Sequence, residues 1–179
     1  MIRLPLETER LRIRPVEPEA DAEPLYELWG DPEAMRFVRP PSESVEQVRE
    51  RLEGFVEWAR SGWALWALEE RESGGFVGLA GLFPLAREGP EIELAYHIVP
   101  SRWGRGYATE AGAALLEAAW GETDLDHVVA VAFEQNRAST RVMQKLGMTC
   151  EGLTPYLKHD ELVRYSIARP NDLDHKQTD

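Results

Sequence analysis

The sequence predicts a single domain of the α/β (α+β) class, with an antiparallel meander at its centre and helices before and after it. Three observations carry this. The chain has 179 residues, 43% of them hydrophobic, which is enough for one core and too little for two full domains. The segments "GWALWAL", "GFVGLAGLFPL" and "EIELAYHIV" read as three strands separated by "EERESGG" and "AREGPE", whose glycines and prolines suit hairpin connections. On either side of them the apolar period changes to three and four residues, the helical signature.

In chain order, "TERLRIRPV" sets Leu11 and Ile13 against Arg10, Arg12 and Arg14, the alternation of a half-buried strand. Leu25, Leu28 and Trp29 mark a helical face between Asp21 and Trp29, closed by Gly30. In "DPEAM", Asp31 caps a short turn with Pro32 at its first helical position. Ser44 and Gln47 form a capping-box pair ahead of Val45, Val48, Leu52, Phe55, Val56 and Ala59, an amphipathic helix. Beyond the meander come a glycine turn with a helix to about Trp120, a strand at "HVVAVAF", a helix from about Arg137 to Leu146 stopped by Gly147, and strand-like "LVRYSIA". The expected domain is 1–169. From Pro170 onward, residues 170–179 lack an apolar pattern and are expected to be a flexible tail. No repeat or low-complexity stretch occurs.

The net charge of −12, from 20 Lys+Arg against 32 Asp+Glu, argues against nucleic acid as a partner and favours a cationic one, although acidity also serves solubility alone. Cys150, the single cysteine, allows neither an internal disulfide nor a zinc cluster. It is expected to be a small buried residue in a reducing cytoplasm, and no metal is expected. Met1 to Arg14 does not read as a signal peptide, and the most apolar run, "GFVGLAGLFPLA", is too short and too interrupted for a membrane helix.

The segment "SRWGRGYATEAG", Ser101 to Gly112, places two glycines just before a helix. Unpaired amides at such a helix start suit an anion, and Gly104, Arg105, Gly106, Tyr107, Ala108 and Thr109 are positioned to wrap a pyrophosphate; the glycines also fit a role limited to turning the chain. Charge-assisted hydrogen bonds of about 1.5–3 kcal/mol each outweigh the helix dipole at about 0.3–1 kcal/mol. A dinucleotide fold is disfavoured, because its glycine motif follows the first strand of a βαβ unit. The nucleoside triphosphate loop is absent too.

Together, "TERLRIRP", "EIELAYHIVPSRWGRGYATEA" and "FEQNRASTRVMQKLGM" resemble, in order and separation, the GNAT superfamily of acetyl-CoA-dependent N-acetyltransferases, in particular the branch acting on N-terminal amines of ribosomal proteins. The resemblance spans nearly the whole chain up to about residue 168. It implies a mixed, mostly antiparallel twisted sheet flanked by helices and splayed between the fourth and fifth strands, and acetyl-CoA as cosubstrate. The family's pyrophosphate motif falls on Trp103, Gly104, Arg105, Gly106, Tyr107 and Ala108, with Trp103 where glutamine or arginine is usual. Pantetheine is expected to pair with the backbone of His97, Ile98 and Val99. Ile92, Leu94, Tyr96 and Ile98 share one face of that strand, leaving Glu93, Ala95 and His97 on the other.

Asn136 is a helix cap by residue type, and by resemblance also contacts the cofactor. Ser139, one turn on, stands where the family branch keeps a serine near the thioester sulfur; as a helical serine it also fits a surface role. Arg137, Arg141 and Lys145 form one basic face, either solvated or near the 3′-phosphate of coenzyme A. Many relatives carry a tyrosine general acid at the position of Met143, which cannot donate a proton. Tyr156 remains an unplaced donor, and backbone N–H near Ile98 or Val99 is a candidate for the carbonyl oxygen. Glu93 is the candidate base, acting through water, unless it only pairs with an arginine; His97 is the runner-up. An α-amine, with a pKa of about 7.7–8.0 against about 10.4 for lysine, needs only a modest base. The expected acceptor is a protein or peptide N-terminus. A small amine such as a polyamine, amino acid or aminoglycoside is the alternative, and a non-catalytic acyl-CoA-binding module the reading from another class. Oligomeric state, a homodimer included, is left open.

Overall fold

A computed structural model describes residues 2–156 and 159–170. The elements run β1 (Leu6–Glu7), β2 (Leu11–Arg14), α1 (Pro18–Trp29), α2 (Pro32–Met35), α3 (Val45–Ala59), β3 (Ala64–Glu70), β4 (Phe76–Pro84), β5 (Ile92–Ile98), α4 (Tyr107–Glu122), β6 (His127–Phe133), α5 (Arg137–Lys145), β7 (Thr149–Tyr156) and β8 (His159–Ala168). The strands form one sheet in the order β1-β2-β3-β4-β5-β6-β8-β7. All neighbours are antiparallel except β5 and β6, which run parallel and meet in register only at Glu93 and Val129. Beyond that pair the two strands diverge, and the sheet opens. The mixed, mostly antiparallel α+β architecture follows the sequence expectation. Of the expected tail, 170–179, all but Pro170 lies outside the described residues.

The helices start where their caps dictate. Asp31 accepts from the amides of Glu33 (2.8 Å) and Ala34 (3.2 Å), and Ser44 Oγ accepts from Gln47 N–H at 3.2 Å. The return bond from Gln47 reaches Glu43 N–H (3.1 Å), one residue before the cap, so the box is shifted from the expected reciprocal pair. The sheet is covered on both faces. Leu11, Ile13, Leu68, Leu82 and Leu94 pack with Ala111 and Leu115 of α4, whereas Leu65, Ala67, Leu79 and Ala95 pack with Leu25 and Trp29 of α1 and Leu52 of α3. Each such leucine contributes roughly 1.5–3 kcal/mol by leaving water.

Two strands were not anticipated. Glu7 in β1 is exposed, and β7, at the opposite edge, is mostly exposed along its length, so neither is under selection for an alternating apolar face that a reader could detect. Cys150 lies on β7 and is exposed. The expectation of a buried thiol is therefore corrected: an edge strand without a covering helix has no core to place it in. Among the described residues no helix is long and apolar enough to cross a membrane.

Candidate active site

The opening between β5 and β6 is the floor of a cleft of about 940 Å³, walled by residues of α1, α3, β5, β6 and α5 and by the segment Phe37–Arg39. Its direction follows from ladder alternation. Val99 N–H donates to Val77 O at 3.0 Å, and the register stays regular from Gly78 against Ile98 to Pro84 against Ile92. The backbone groups of residues 93, 95, 97 and 99 therefore face β4, and those of Tyr96 and Ile98 face the opening. The ladder bears on the expected pairing set of His97, Ile98 and Val99. The Val99 amide is spent on β4 and its carbonyl accepts from Arg102 N–H at 2.9 Å; His97 backbone is likewise turned to β4, leaving Ile98 as the member whose backbone points away from β4. The Ile98 carbonyl is engaged by the Trp103 indole N–H at 2.6 Å, so Trp103 contacts the strand backbone from the position where the family usually has glutamine or arginine.

Past Trp103 the chain turns through Gly104 (φ 74°) and Gly106 (φ 83°) into α4. No side chain caps that helix, and among the described residues the amides of residues 104–109 donate to no acceptor. Such a set of donors, on an exposed loop, fits a diphosphate. Two ion-pair clusters hold it in shape. Arg10 pairs with Glu110 (2.6 Å) and donates to the Arg105 carbonyl (2.9 Å). Glu70 takes Arg102 at 3.1 Å, Ser73 Oγ at 2.5 Å and the Tyr107 hydroxyl, and these partners, Ser73 first, hold its carboxyl down at about 2. Arg10, Glu70 and Glu110 carried no sequence signal for this task, since the contacts that tie them to the loop and α4, Arg102 on Glu70 and Arg10 on Glu110, join residues 32 and 100 positions apart.

Inside the cleft the side chains divide by face. Tyr96 packs toward α4, and its hydroxyl lies 3.0 Å from both Ser139 Oγ and Ser139 O. Asn136 Oδ1 accepts from Ser139 N–H at 3.2 Å, so Asn136 is a cap and thereby fixes the turn that presents Ser139. Burial pushes the Tyr96 phenol up to about 12, keeping it a donor. Met143 is buried beside this pair. Arg137, Arg141 and Lys145 are exposed on α5.

On the other face Glu93 is 5% exposed and has no arginine partner among the described residues; Tyr156 donates to its Oε2 at 2.7 Å. Burial drives the carboxyl up to about 7, the Tyr156 bond pulling the other way. Tyr156, unplaced by sequence, thus sits on the candidate base from a strand 63 residues away. His97 accepts a long bond from Trp29 Nε1 (3.4 Å), and burial pushes it down to about 4, too weak a base for neutral pH. The overall acidity misdescribes this place: apart from Glu93, the charged side chains at its walls among the described residues are Arg39, Arg51 and Arg87.

Comparison with known proteins accords with this geometry. Residues 10–149 match the acetyltransferase (GNAT) domain. The uncharacterized N-acetyltransferase YoaA of Bacillus subtilis is 29% identical over 178 residues, 93% of this chain and 98% of that protein. A GNAT-family acetyltransferase from Bacillus anthracis superposes with a TM-score of 0.78 at 25% identity, covering 92% of this chain and 98% of its own. RimL, a ribosomal L7/L12 alpha-N-protein acetyltransferase solved in complex with coenzyme A, shares the fold with a TM-score of 0.77 at 18% identity, over 93% and 98% of the two chains. The chain belongs to the GNAT family of acetyl-CoA-dependent N-acetyltransferases.

Proposed function

We propose that this enzyme acetylates the α-amine of a peptide or protein N-terminus, with the amides of Gly104–Thr109 holding the diphosphate of acetyl-CoA and Glu93 taking the proton from the amine. The observation that carries the reading is the buried carboxyl at the opened sheet, poised at about 7. Proton transfer is most efficient between groups of matched pKa. From an α-ammonium at about 7.7–8.0 to Glu93 the transfer is uphill by roughly 1 kcal/mol, and from a lysine at about 10.4 by roughly 5 kcal/mol. RimL, named for an alpha-N-protein activity, is consistent with this acceptor class.

The pantetheine arm would follow the backbone of Tyr96 and Ile98 into the opening, directing the thioester between the two faces of the sheet. The amine nitrogen, relieved of one proton by Glu93, attacks the carbonyl carbon; the N–C bond forms, the C–S bond breaks, the sulfur leaves as thiolate, and the second proton shed by the nitrogen passes to that thiolate or to solvent. With a thiol pKa of about 8.5, no strong acid is needed. The Ser139 hydroxyl, oriented by Tyr96, supplies the hydrogen bond that Met143 cannot.

Two measurements follow. With acetyl-CoA and peptides carrying both a free N-terminus and an internal lysine, mass spectrometry should locate the acetyl group on the N-terminal nitrogen; modification confined to lysine, or to a small amine with every peptide left untouched, would overturn the assignment. Tyr156→Phe removes a hydrogen bond that stabilises ionised Glu93. The acid limb of the pH–kcat profile should then move upward from about 7, with activity recovering at pH 9. An unmoved limb would detach either residue from proton transfer.

A further inference from the structure

Among the described residues that line the cleft, Arg39 is the charged group whose buried polar atoms find no partner. Its guanidinium lies 4.3 Å over the Trp29 ring, and Nη1 and Nη2 are shielded from bulk water with no hydrogen-bond partner among the described residues. A chain with 32 acidic residues against 20 basic ones has carboxylates to spare, and Arg10, Arg14, Arg49, Arg102 and Arg164 all find them. An arginine held out of water with both prongs of its fork unfilled is costly unless a partner arrives. The two other arginines of the cleft, Arg51 and Arg87, make no ion pair among the described residues either. Arg51 reaches only Ser42 Oγ, at 3.4 Å. Arg87 lies over Trp58 at 5.7 Å and is held with φ at 66°, a backbone conformation that costs a non-glycine residue energy and tends to persist where something depends on it.

We propose that the acceptor carries a carboxylate received by Arg39: an acidic side chain within the first few residues of the peptide whose N-terminal amine Glu93 deprotonates. The inference rests on the acceptor reading above and names the substrate class within it. Stacking on Trp29 leaves the edge of the guanidinium for a bidentate carboxylate. Arg39 is part-exposed and lines the cleft, so a small rotation presents that edge. The spacing selects a peptide over a free amino acid. Trp29 adjoins His97, ring centroids 6.1 Å apart, and His97 is four residues from Glu93 on the same face of β5. That separates the base from the Trp29–Arg39 pair by on the order of 10 Å along the strand. An amino acid's own carboxylate is one carbon from its amine and does not reach, whereas an extended peptide at about 3.3–3.6 Å per residue spans the gap in about three residues. Arg51 and Arg87, exposed at the mouth, counter the repulsion an acidic peptide meets from a net charge of −12.

The test is a set of matched peptides, identical except that one acidic residue at the second, third or fourth position is replaced by its amide, together with free glutamate, assayed with acetyl-CoA. The acidic peptide should exceed its amide twin by about 10- to 100-fold in kcat/KM, the range of one charge-assisted hydrogen bond, chiefly through KM. In Arg39→Gln the twins should converge to within about twofold, and acetyl-CoA affinity measured by calorimetry should stay at the wild-type value, which also reports that the variant is folded. Arg39→Lys keeps the charge without the fork and should give an intermediate preference. Equal use of the twins by the wild type, a preference that survives Arg39→Gln and Arg39→Lys, or free glutamate as the best acceptor would each overturn the inference while leaving acyl transfer to an amine intact. Absence of turnover with every amine would remove the acceptor reading and this inference with it.

Discussion

Glu93→Gln is expected to lower kcat by at least about tenfold while acetyl-CoA binds as before, because the carboxylate lines the cleft and the glycine loop lies elsewhere. The amide keeps the shape and still accepts from Tyr156, but it takes no proton at any accessible pH. The acid limb near 7 should vanish from the profile, and the remaining activity should follow the ionisation of the amine alone. Unchanged turnover would remove Glu93 from the chemistry.

The same substitution has a stability consequence of opposite sign. Burial raises the folded-state pKa of Glu93 from 4.5 to about 7, so the folded protein holds this proton more tightly than the unfolded chain. The unfolded state loses it first as pH rises, so stability is greatest below 4.5, declines between 4.5 and about 7, and is flat above. At about 1.4 kcal/mol per pH unit the buried charge costs roughly 3 kcal/mol at pH 8. Glu93→Gln should therefore melt several degrees above the wild type at pH 8 and lose that advantage toward pH 4. A site that is improved for folding by its removal is one retained for function.

Gly106→Val is expected to raise the dissociation constant for acetyl-CoA by at least about tenfold and to leave the fold standing. The defect is conformational. A Cβ at Gly106 would meet only Arg10 Nη2, at an ordinary 3.6 Å, but φ of 83° is a region that β-branched residues scarcely enter. Relaxing that angle turns the amides of residues 104–107 away from a common point. With charge-assisted bonds at about 1.5–3 kcal/mol each, losing one is enough for the expected change. Calorimetry reads it directly, and native affinity in this variant would show that the loop does something else.

How much of this was legible in the sequence depends on whether a residue's role is local. The meander could be read because each strand repeats an apolar residue on a buried face, and the glycine turn because a positive φ before a helix restricts residue choice at two sites, Gly104 and Gly106. Ser44, Asp31 and Asn136 were legible as caps, since a cap acts within three residues of itself. By contrast β7 buries too little to leave a period, and Cys150 on it was misjudged for that reason. The Val99 amide was assigned to the cleft because ladder phase is invisible until the partner strand is known. Tyr156 on Glu93, Glu70 under the loop and an Arg39 that finds no partner among the described residues are tertiary facts. Nothing in the neighbouring residues distinguishes Arg39 from Arg36, which pairs with Glu33 one turn away.

The central claim, that one loop of amides and one buried carboxyl lie at the two ends of a single path through the opened sheet, is tested most directly by a crystal structure with coenzyme A bound. The account predicts the diphosphate within hydrogen-bond distance of the amides of residues 104–109 and the sulfur between β5 and β6, flanked by Ser139 on one side and Glu93 on the other. A diphosphate seated away from that loop, or a thiol emerging on a face of the sheet remote from Glu93, would contradict it.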